Sequence, residues 1–502
     1  MEYIRAFYNW WTGREAMEKV IQGNNQFAFK LYVHMVGDKK FGDEKLFSPA
    51  ALQIIMGMLW VGASEKGVEQ IENVLQLPSD RDTIIFGFKA LYNELLTTKF
   101  AIVNMPIRIF TPYYIRLKRD FFVTCGRHFE VRLKPMNFRD DEGPIRDGIN
   151  EWVKKCTMNK VDQIIKRQCV DDLTQILIVN GVNFESRMAS PFMDYNVTIG
   201  TFNISETRTR IVRYLNQTGS FRYSELDDFD AQILELPYMS PNLSLLIMVP
   251  NQMCGLRDME NKLPKVTVLD LLYRMHEHKV KVTIPKFRLL HGYDVTDYLD
   301  RVGLDTLTTS NAHGLVEVSV ANPPLALTNL WQKTFFELVE EEGHSVKQGK
   351  PDDPKIPTKV FLADHPFMFM VVDRVSGLII LMGRVTCKDR FDMSMMRSKS
   401  GTQLVIPRMR RGSWPHYHSE TSDDENESRK KPISTQYELT DEELLKIMNY
   451  SRRPYPTDKA ESSSEPSIPV SKVDNVPEPA DPADETESAP GPDDDTGKAV
   501  LA

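Results

Sequence analysis

ADHPFMFMVVDRVSGLIILMGRV, residues 363–385, is the stretch whose reading decides the fold. Its two apolar runs, HPFMFMVVDR and GLIILMGRVT, are β-branched and aromatic and are bounded by Pro, Asp and Gly, which is the pattern of strands. The same signature recurs upstream in QILIVNGVNF, AQILELPYM, LSLLIMVP, KVKVTIPKF and LALTNLWQKTFFELVEE, all after residue 174. Before that point helices dominate. PAALQIIMGMLWVGA, residues 49–63, is apolar nearly all round, so it predicts a buried helix. Residues 64–126 predict further helices with a strand near 103–110, and INEWVKKCTMNKVDQII, residues 149–165, has amphipathic spacing. Strand runs beside a mostly helical N-terminal portion predict an α+β domain with large sheets and helices packed against them, not a repeating βαβ array. No period of about 20 to 50 residues appears, which argues against a solenoid.

Composition separates the chain into parts. Its 502 residues have room for one large domain or about three ordinary ones at roughly 150 residues each. The first 390 or so carry apolar runs at steady intervals. Residues 389–502 are dominated by Ser, Pro, Asp, Glu and Lys, too hydrophilic to offset the entropy of ordering, and are expected to be a disordered tail. Residues 1–24 read as an extension leading into the first helix of a domain over 25–388. The net charge of −8 and the lack of a basic stripe with interleaved aromatics make nucleic acid an unexpected partner. Five cysteines, Cys125, Cys156, Cys169, Cys254 and Cys387, lie far apart without metal or redox spacing, and read as free thiols, mostly buried. No run of about 18 apolar residues predicts a membrane span. The N-terminus lacks the apolar run of a secretory signal, which argues for the cytoplasm. Sequons at Asn196, Asn203, Asn216, Asn242, Asn426 and Asn449 would be potential glycan sites in a secreted chain.

The order and spacing of these segments resemble the serpin family over about 360 residues. FSPAALQIIMGMLWVGASEKGVEQI, residues 47–71, looks like the family's first long core helix and the turn after it. INEWVKKCTMNKVDQII, with Trp152, is similar to its helix-to-linker segment. ILIVNGVNFESRMASPF, residues 176–192, is similar to the central strand that carries the family's Asn, here Asn180. LELPYMSPNLSLLIMVPN, residues 234–251, resembles the next strand pair. VTIPKFRLLHGYDVTDYLDRVGL, residues 282–304, and residues 363–385 are the most specific matches. The resemblance implies the serpin fold, with three β-sheets, eight or nine helices and an exposed reactive-centre loop. It implies extracellular space as the default location, a monomer, no cofactor and a protein partner or protease. Inhibitory members bait a protease with the loop, which is cut and inserts as a new strand in the largest sheet. Such a protein is a single-use trap and not an enzyme.

The loop here departs from that pattern. It corresponds to ELVEEEGHSVKQGKPDDPKIPTKVFLADHPF, residues 337–367. Glu340, Glu341, Glu342, Gly343 and His344 stand at the hinge, but counting from Lys333 puts Glu342 where the family has Gly and Gly343 where it has Thr. No alanine run follows. Side chains alternate across a strand, so an inserted segment directs either Lys350 or Lys347 toward the core, at a cost of several kcal/mol. Pro351, Pro354 and Pro357 each remove a ladder donor. If the loop is cut, Lys355–Ile356 is the expected bond, since Lys355 suits a trypsin-like pocket. The family's polar cluster beneath the sheet also reads as changed, with Ala51, Gln53 and Gln332 at its places and Asn180 retained. These features predict a non-inhibitory member with an interaction or carrier role; the alternative is a suicide inhibitor acting through residues 344–360.

Other motifs are weaker. His276, Glu277 and His278 in MHEH, and His416 and His418, read as surface groups, since metal sites need three or four convergent ligands. No GxSxG elbow appears. RMRR and RKK, residues 408–411 and 429–431, read as solvated charge, and Ser419 and Ser422 precede acids in a phosphorylation context. Within the tail, Thr440 and Glu443 form a capping-box pattern for a short helix at 440–449.

Overall fold

Residues 2–38, 43–139, 142–309, 312–320, 325–341 and 359–388 are described by the structure, a computed structural model. The helices are α1 (Glu2–Ile21), α2 (Asn24–Gly37), α3 (Pro49–Gly62), α4 (Glu65–Leu75), α5 (Arg81–Thr97), α6 (Arg119–His128), α7 (Glu142–Cys156), α8 (Leu256–Lys262), α9 (Val268–Tyr273), α10 (Thr296–Arg301) and α11 (Asp305–Thr308). The strands of the first half are β1 (Lys45–Phe47), β2 (Ala101–Asn104), β3 (Ile107–Pro112), β4 (Arg132–Met136), β5 (Ile176–Ser186), β6 (Thr198–Ser205) and β7 (Arg208–Leu226). Those of the second half are β8 (Ala231–Pro237), β9 (Leu243–Pro250), β10 (His276–Pro285), β11 (Phe287–Asp294), β12 (Leu327–Leu338), β13 (Lys359–Leu362), β14 (Phe367–Asp373) and β15 (Ile379–Val385).

Both runs of residues 363–385 are strands. β14 and β15 pair with each other and stand between β1 and β9 at one end of a nine-stranded sheet ordered β1-β15-β14-β9-β8-β7-β10-β13, with β6 on β7. All seven residues of β15 are buried, so both faces of this strand are covered. β1 can lie against it because position 383 is glycine: a Cβ there would stand 2.3 Å from the Lys45 carbonyl oxygen. The second sheet has six strands, ordered β11-β12-β5-β3-β4 with β2 on β5.

The fold is the α+β architecture expected from the sequence, large sheets with helices packed against them, with two differences of detail. The expected three sheets form two hydrogen-bonded networks among the described residues, because the 19-residue β7 pairs with β8 through its C-terminal part and with β6 and β10 along its length. Among the described residues the α-helical segments number eleven where eight or nine were expected, because α8 to α11 are short stretches of four to seven residues.

α3 is buried at all fourteen positions, as its all-round apolar sequence predicts. Ser48 caps it by accepting from the Ala51 N–H at 3.2 Å, and Pro49 occupies the first turn. The six-stranded sheet is covered twice. Ile178, Val182, Phe184, Leu330 and Phe336 face the main core, while Leu177, Val179 and Phe335 face a second cluster formed with Ile149 and Val153 of α7 and with Val161 and Ile164 beyond it.

Within residues 149–165 the helix ends at Cys156 and a linker follows, as the likeness to a helix-to-linker segment implies. Met158 and Asn159 adopt left-handed φ of 51° and 62°, and Thr157 turns its hydroxyl onto the Val153 carbonyl at 2.8 Å while accepting from the Val161 N–H. Residues 157–165 therefore form a linker, and Asn150 holds it through the Ile164 and Ile165 amides and the Ile165 carbonyl. The thiols also differ from expectation. Cys125 and Cys387 are buried, but Cys156 and Cys169 are half-buried and Cys254 is exposed, because its turn after β9 lies at the surface. Burial pushes the Cys387 thiol up to about 12.

Candidate functional site

The nine-stranded network is two of the expected sheets joined through β7, so the six-stranded sheet is the one the resemblance assigns to insertion; a cut loop would have to enter it at the seam between β5 and β12, which is closed in this structure. The two strands run parallel and pair directly, from Leu327 opposite Ile176 to Phe335 opposite Asn183, with a bulge near Leu327. Alternation then fixes the faces. Asn180, Val182 and Phe184 of β5 and Gln332, Thr334 and Phe336 of β12 point to the main core, each at most 2% exposed.

Asn180 and Gln332 meet at the centre of this seam. The Gln332 side-chain amide donates to Asn180 Oδ1 at 2.8 Å and to the Ser48 carbonyl at 3.2 Å, and its oxygen accepts from the Ser48 N–H at 2.8 Å. Asn180 Nδ2 donates to the Pro106 carbonyl at 3.2 Å, and Ser48 Oγ to that of Ile380 at 2.7 Å. One polar group thus joins β5, β12, the cap of α3 and β15. The cluster that reads as changed in the sequence is built here on Asn180 and Gln332: Gln332 carries both a donor and an acceptor, so a single side chain satisfies three buried groups. Gln53 belongs elsewhere. It accepts from Asn24 at 2.9 Å and donates to the Val20 carbonyl at 2.7 Å, tying α2 to α3, while Ala51 packs in the core.

At the hinge, Glu340 and Glu341 are described and do different work. Glu340 is fully buried, 3.0 Å from Lys286 Nζ and 3.9 Å from Arg213 Nη2. Glu341 is fastened on the surface. Its N–H donates to the Phe192 carbonyl at 2.8 Å, its carbonyl accepts from Asp194 N–H at 3.1 Å, and its carboxylate takes Arg187 Nη2 at 2.5 Å and Nε at 3.2 Å. That carboxylate holds the Arg187 pKa above its ordinary value. The base of the loop is thereby fixed outside the six-stranded sheet, against the segment between β5 and β6. Glu342, Gly343, His344, Lys355 and Ile356 lie outside the described residues. The chain resumes at β13, the edge strand beside β10 in the other sheet, where Lys359 reaches Glu225 at 2.8 Å.

Lys333, the counting point for the hinge, faces the linker. Its Nζ donates to the Gln163 carbonyl at 2.8 Å and lies 3.3 Å from Asp162 Oδ1. Burial lowers its pKa, and Asp162 opposes that shift. Sequence reading missed Ser48, Arg187, Arg213, Lys286 and Lys160. Their partners lie from 25 residues away (Lys160 to Glu185) to 332 (Ser48 to Ile380) in chain order, so no local spacing signals them. Elsewhere, His276, Glu277 and His278 begin β10, with Glu277 accepting from Ser220 Oγ at 2.5 Å and His278 edge-on to Tyr223. Among the described residues no three His, Cys, Asp or Glu side chains converge as a metal set, and no helix is long and apolar enough to cross a membrane.

Comparison with known proteins agrees with this geometry. The sequence model of the family described as Serpin (serine protease inhibitor) matches residues 22–388. An uncharacterized serpin-like protein of Thermococcus kodakarensis is 29% identical over 383 residues, covering 74% of this chain and 87% of its own length. The leukocyte elastase inhibitor of Homo sapiens is 24% identical over 382 residues, covering 73% of this chain and 99% of its own. Among solved structures, maspin superposes with a TM-score of 0.66 at 25% identity, over 74% of this chain and 99% of that one. Uncleaved ovalbumin gives the same TM-score at 21% identity, over 73% and 99%. With the closed six-stranded sheet, the loop base beside it and a family match across most of its length, the chain belongs to the serpin family.

Proposed function

We propose that this protein is a non-inhibitory serpin, an interaction or carrier scaffold whose loop does not become a strand. The observation that carries the reading is the composition of residues 344–357 set against the seam they would have to enter. Every described core-facing position flanking the upper seam, Val182, Phe184, Thr334 and Phe336, is buried, and the opposite face lies under α7 and the linker. A new strand there would bring Lys350 or Lys347 into the core layer without a counter-charge, at several kcal/mol. Pro351, Pro354 and Pro357 would each leave a neighbour's carbonyl unpaired, adding about 1–3 kcal/mol apiece.

The fastening of Glu340 and Glu341 supports the same reading, since insertion from the hinge would have to break the buried Lys286 pair or the Arg187 fork nearby. Incubation with trypsin-like and chymotrypsin-like proteases should yield cleaved serpin and free enzyme. A covalent complex that survives SDS would refute the proposal and establish the alternative, a suicide inhibitor cut at Lys355–Ile356.

A further inference from the structure

The ladder between β5 and β12 ends at Phe335 and Asn183, although β5 runs on to Ser186 and β12 to Leu338. On the outer face of that diverging end stand two carboxylates, Glu185 and Glu337. Lys160, from the linker after α7, lies between them, with its Nζ 3.1 Å from Glu185 Oε1 and 3.4 Å from Glu337 Oε1. The same ammonium sits 4.9 Å from the centre of the Phe335 ring. We propose that Lys160 is a charge bolt across the mouth of this seam, holding together two strands whose carboxylates would otherwise drive them apart.

The surroundings make the bolt specific. Arg288 of β11 grips the far side of Glu337 with Nη2 at 2.8 Å and Nε at 3.0 Å, and Asn183 Nδ2 donates to Glu185 at 3.3 Å. Arginine, glutamate, lysine and glutamate thus alternate across β11, β12, the linker and β5. Lys160 is placed by a rigid support, because its N–H donates to the Thr157 carbonyl and Asn150 pins the linker's far end. The three side chains are only 20–33% exposed, so screening by water is incomplete. Removing Lys160 leaves both carboxylates in place with one cation fewer between the strands. Arg288 still faces Glu337 and Asn183 still donates to Glu185, but the cation that spans the two strands is lost, and the point where β12 leads into the loop loosens. This inference concerns the sheet and stands independently of whether the loop inhibits.

Hydrogen exchange on the full chain, read by mass spectrometry, tests it. Lys160→Met should speed exchange in peptides covering 182–186 and 334–338 by about tenfold, and leave β14 unchanged. Lys160→Arg should stay near wild type. The triple variant Lys160→Met, Glu185→Gln, Glu337→Gln should return to within about twofold of wild type, because the repulsion is gone. Unchanged exchange in Lys160→Met, or a triple variant as fast as the single one, overturns the proposal. Should Lys160→Met not fold, the wild-type protein still decides it: raising salt from about 0.05 M to about 1 M should speed exchange at the seam and not in β14, and insensitivity to salt overturns the bolt.

Discussion

Gln332 satisfies Asn180 and both backbone groups of Ser48 from the middle of a strand, and all three residues are fully buried. Gln332→Leu keeps the size but abandons three buried partners, and each unsatisfied group costs about 1–3 kcal/mol. Urea unfolding should register a loss of at least about 3 kcal/mol; a loss below about 1 kcal/mol would show that the cluster relaxes onto other partners. Two histidines give the chain an acid sensitivity. Burial lowers the pKa of His34 and of His128 below the ordinary 6.5, helped by Arg301 for the first and by Lys89 and Arg127 for the second. In the window just below 6.5 the unfolded chain binds more protons than the folded one, so stability falls as pH drops through it. The double variant His34→Gln, His128→Gln should show a flatter melting midpoint between about pH 7 and about pH 5, and an unchanged slope would place the sensitivity elsewhere. Asn180 was legible before the structure because a family motif surrounds it. Glu340 was legible only as a hinge glutamate: its partner Lys286 is 54 residues away and nothing in either segment announces the other.

Elements whose residues are buried on both faces were the easiest to read. β14 and β15 are continuous apolar runs with turn residues at their ends, and α3 is apolar all round. The end of α7 was harder, because Val161 and Ile164 keep a helical apolar spacing while serving the second core cluster from a linker. α1 was harder still, since its mixture of aromatic and charged residues gives no clear stripe. Its Ala16 and Val20 are nevertheless buried, and it packs on α5 at a glycine. A Cβ at Gly87 would stand 2.5 Å from the Ala16 carbonyl oxygen and 2.8 Å from Val20 Cγ1. Gly87→Val should therefore force α1 off α5 and expose residues 12–21 to limited proteolysis, while β14 and β15 keep their protection. Equal resistance in the two proteins would mean that the α1–α5 contact absorbs the valine without parting.

For the protein as a single object, where it works and whether its loop moves are both open to direct test. The sequons bear on the first. Asn216 is already committed, its amide donating to the Asn196 carbonyl, Thr198 Oγ1 and the Tyr214 carbonyl while its oxygen accepts from Thr283. Asn203 is engaged with Asp364, and the Ser244 of the Asn242 sequon is fully buried. Asn196 is exposed. In a secretory host, site mapping should find glycan at Asn196 and none at Asn216; occupancy of Asn216 would show that the chain tolerates loss of that ladder. The sequons at Asn426 and Asn449 and the helix expected at 440–449 lie outside the described residues. The loop decides the rest. The most direct measurement is the melting midpoint of the protein before and after a protease nicks residues 344–357. A loop that cannot enter the sheet leaves the midpoint within about 3 °C, whereas a rise of more than about 10 °C would mean that the strand inserts and would contradict the account.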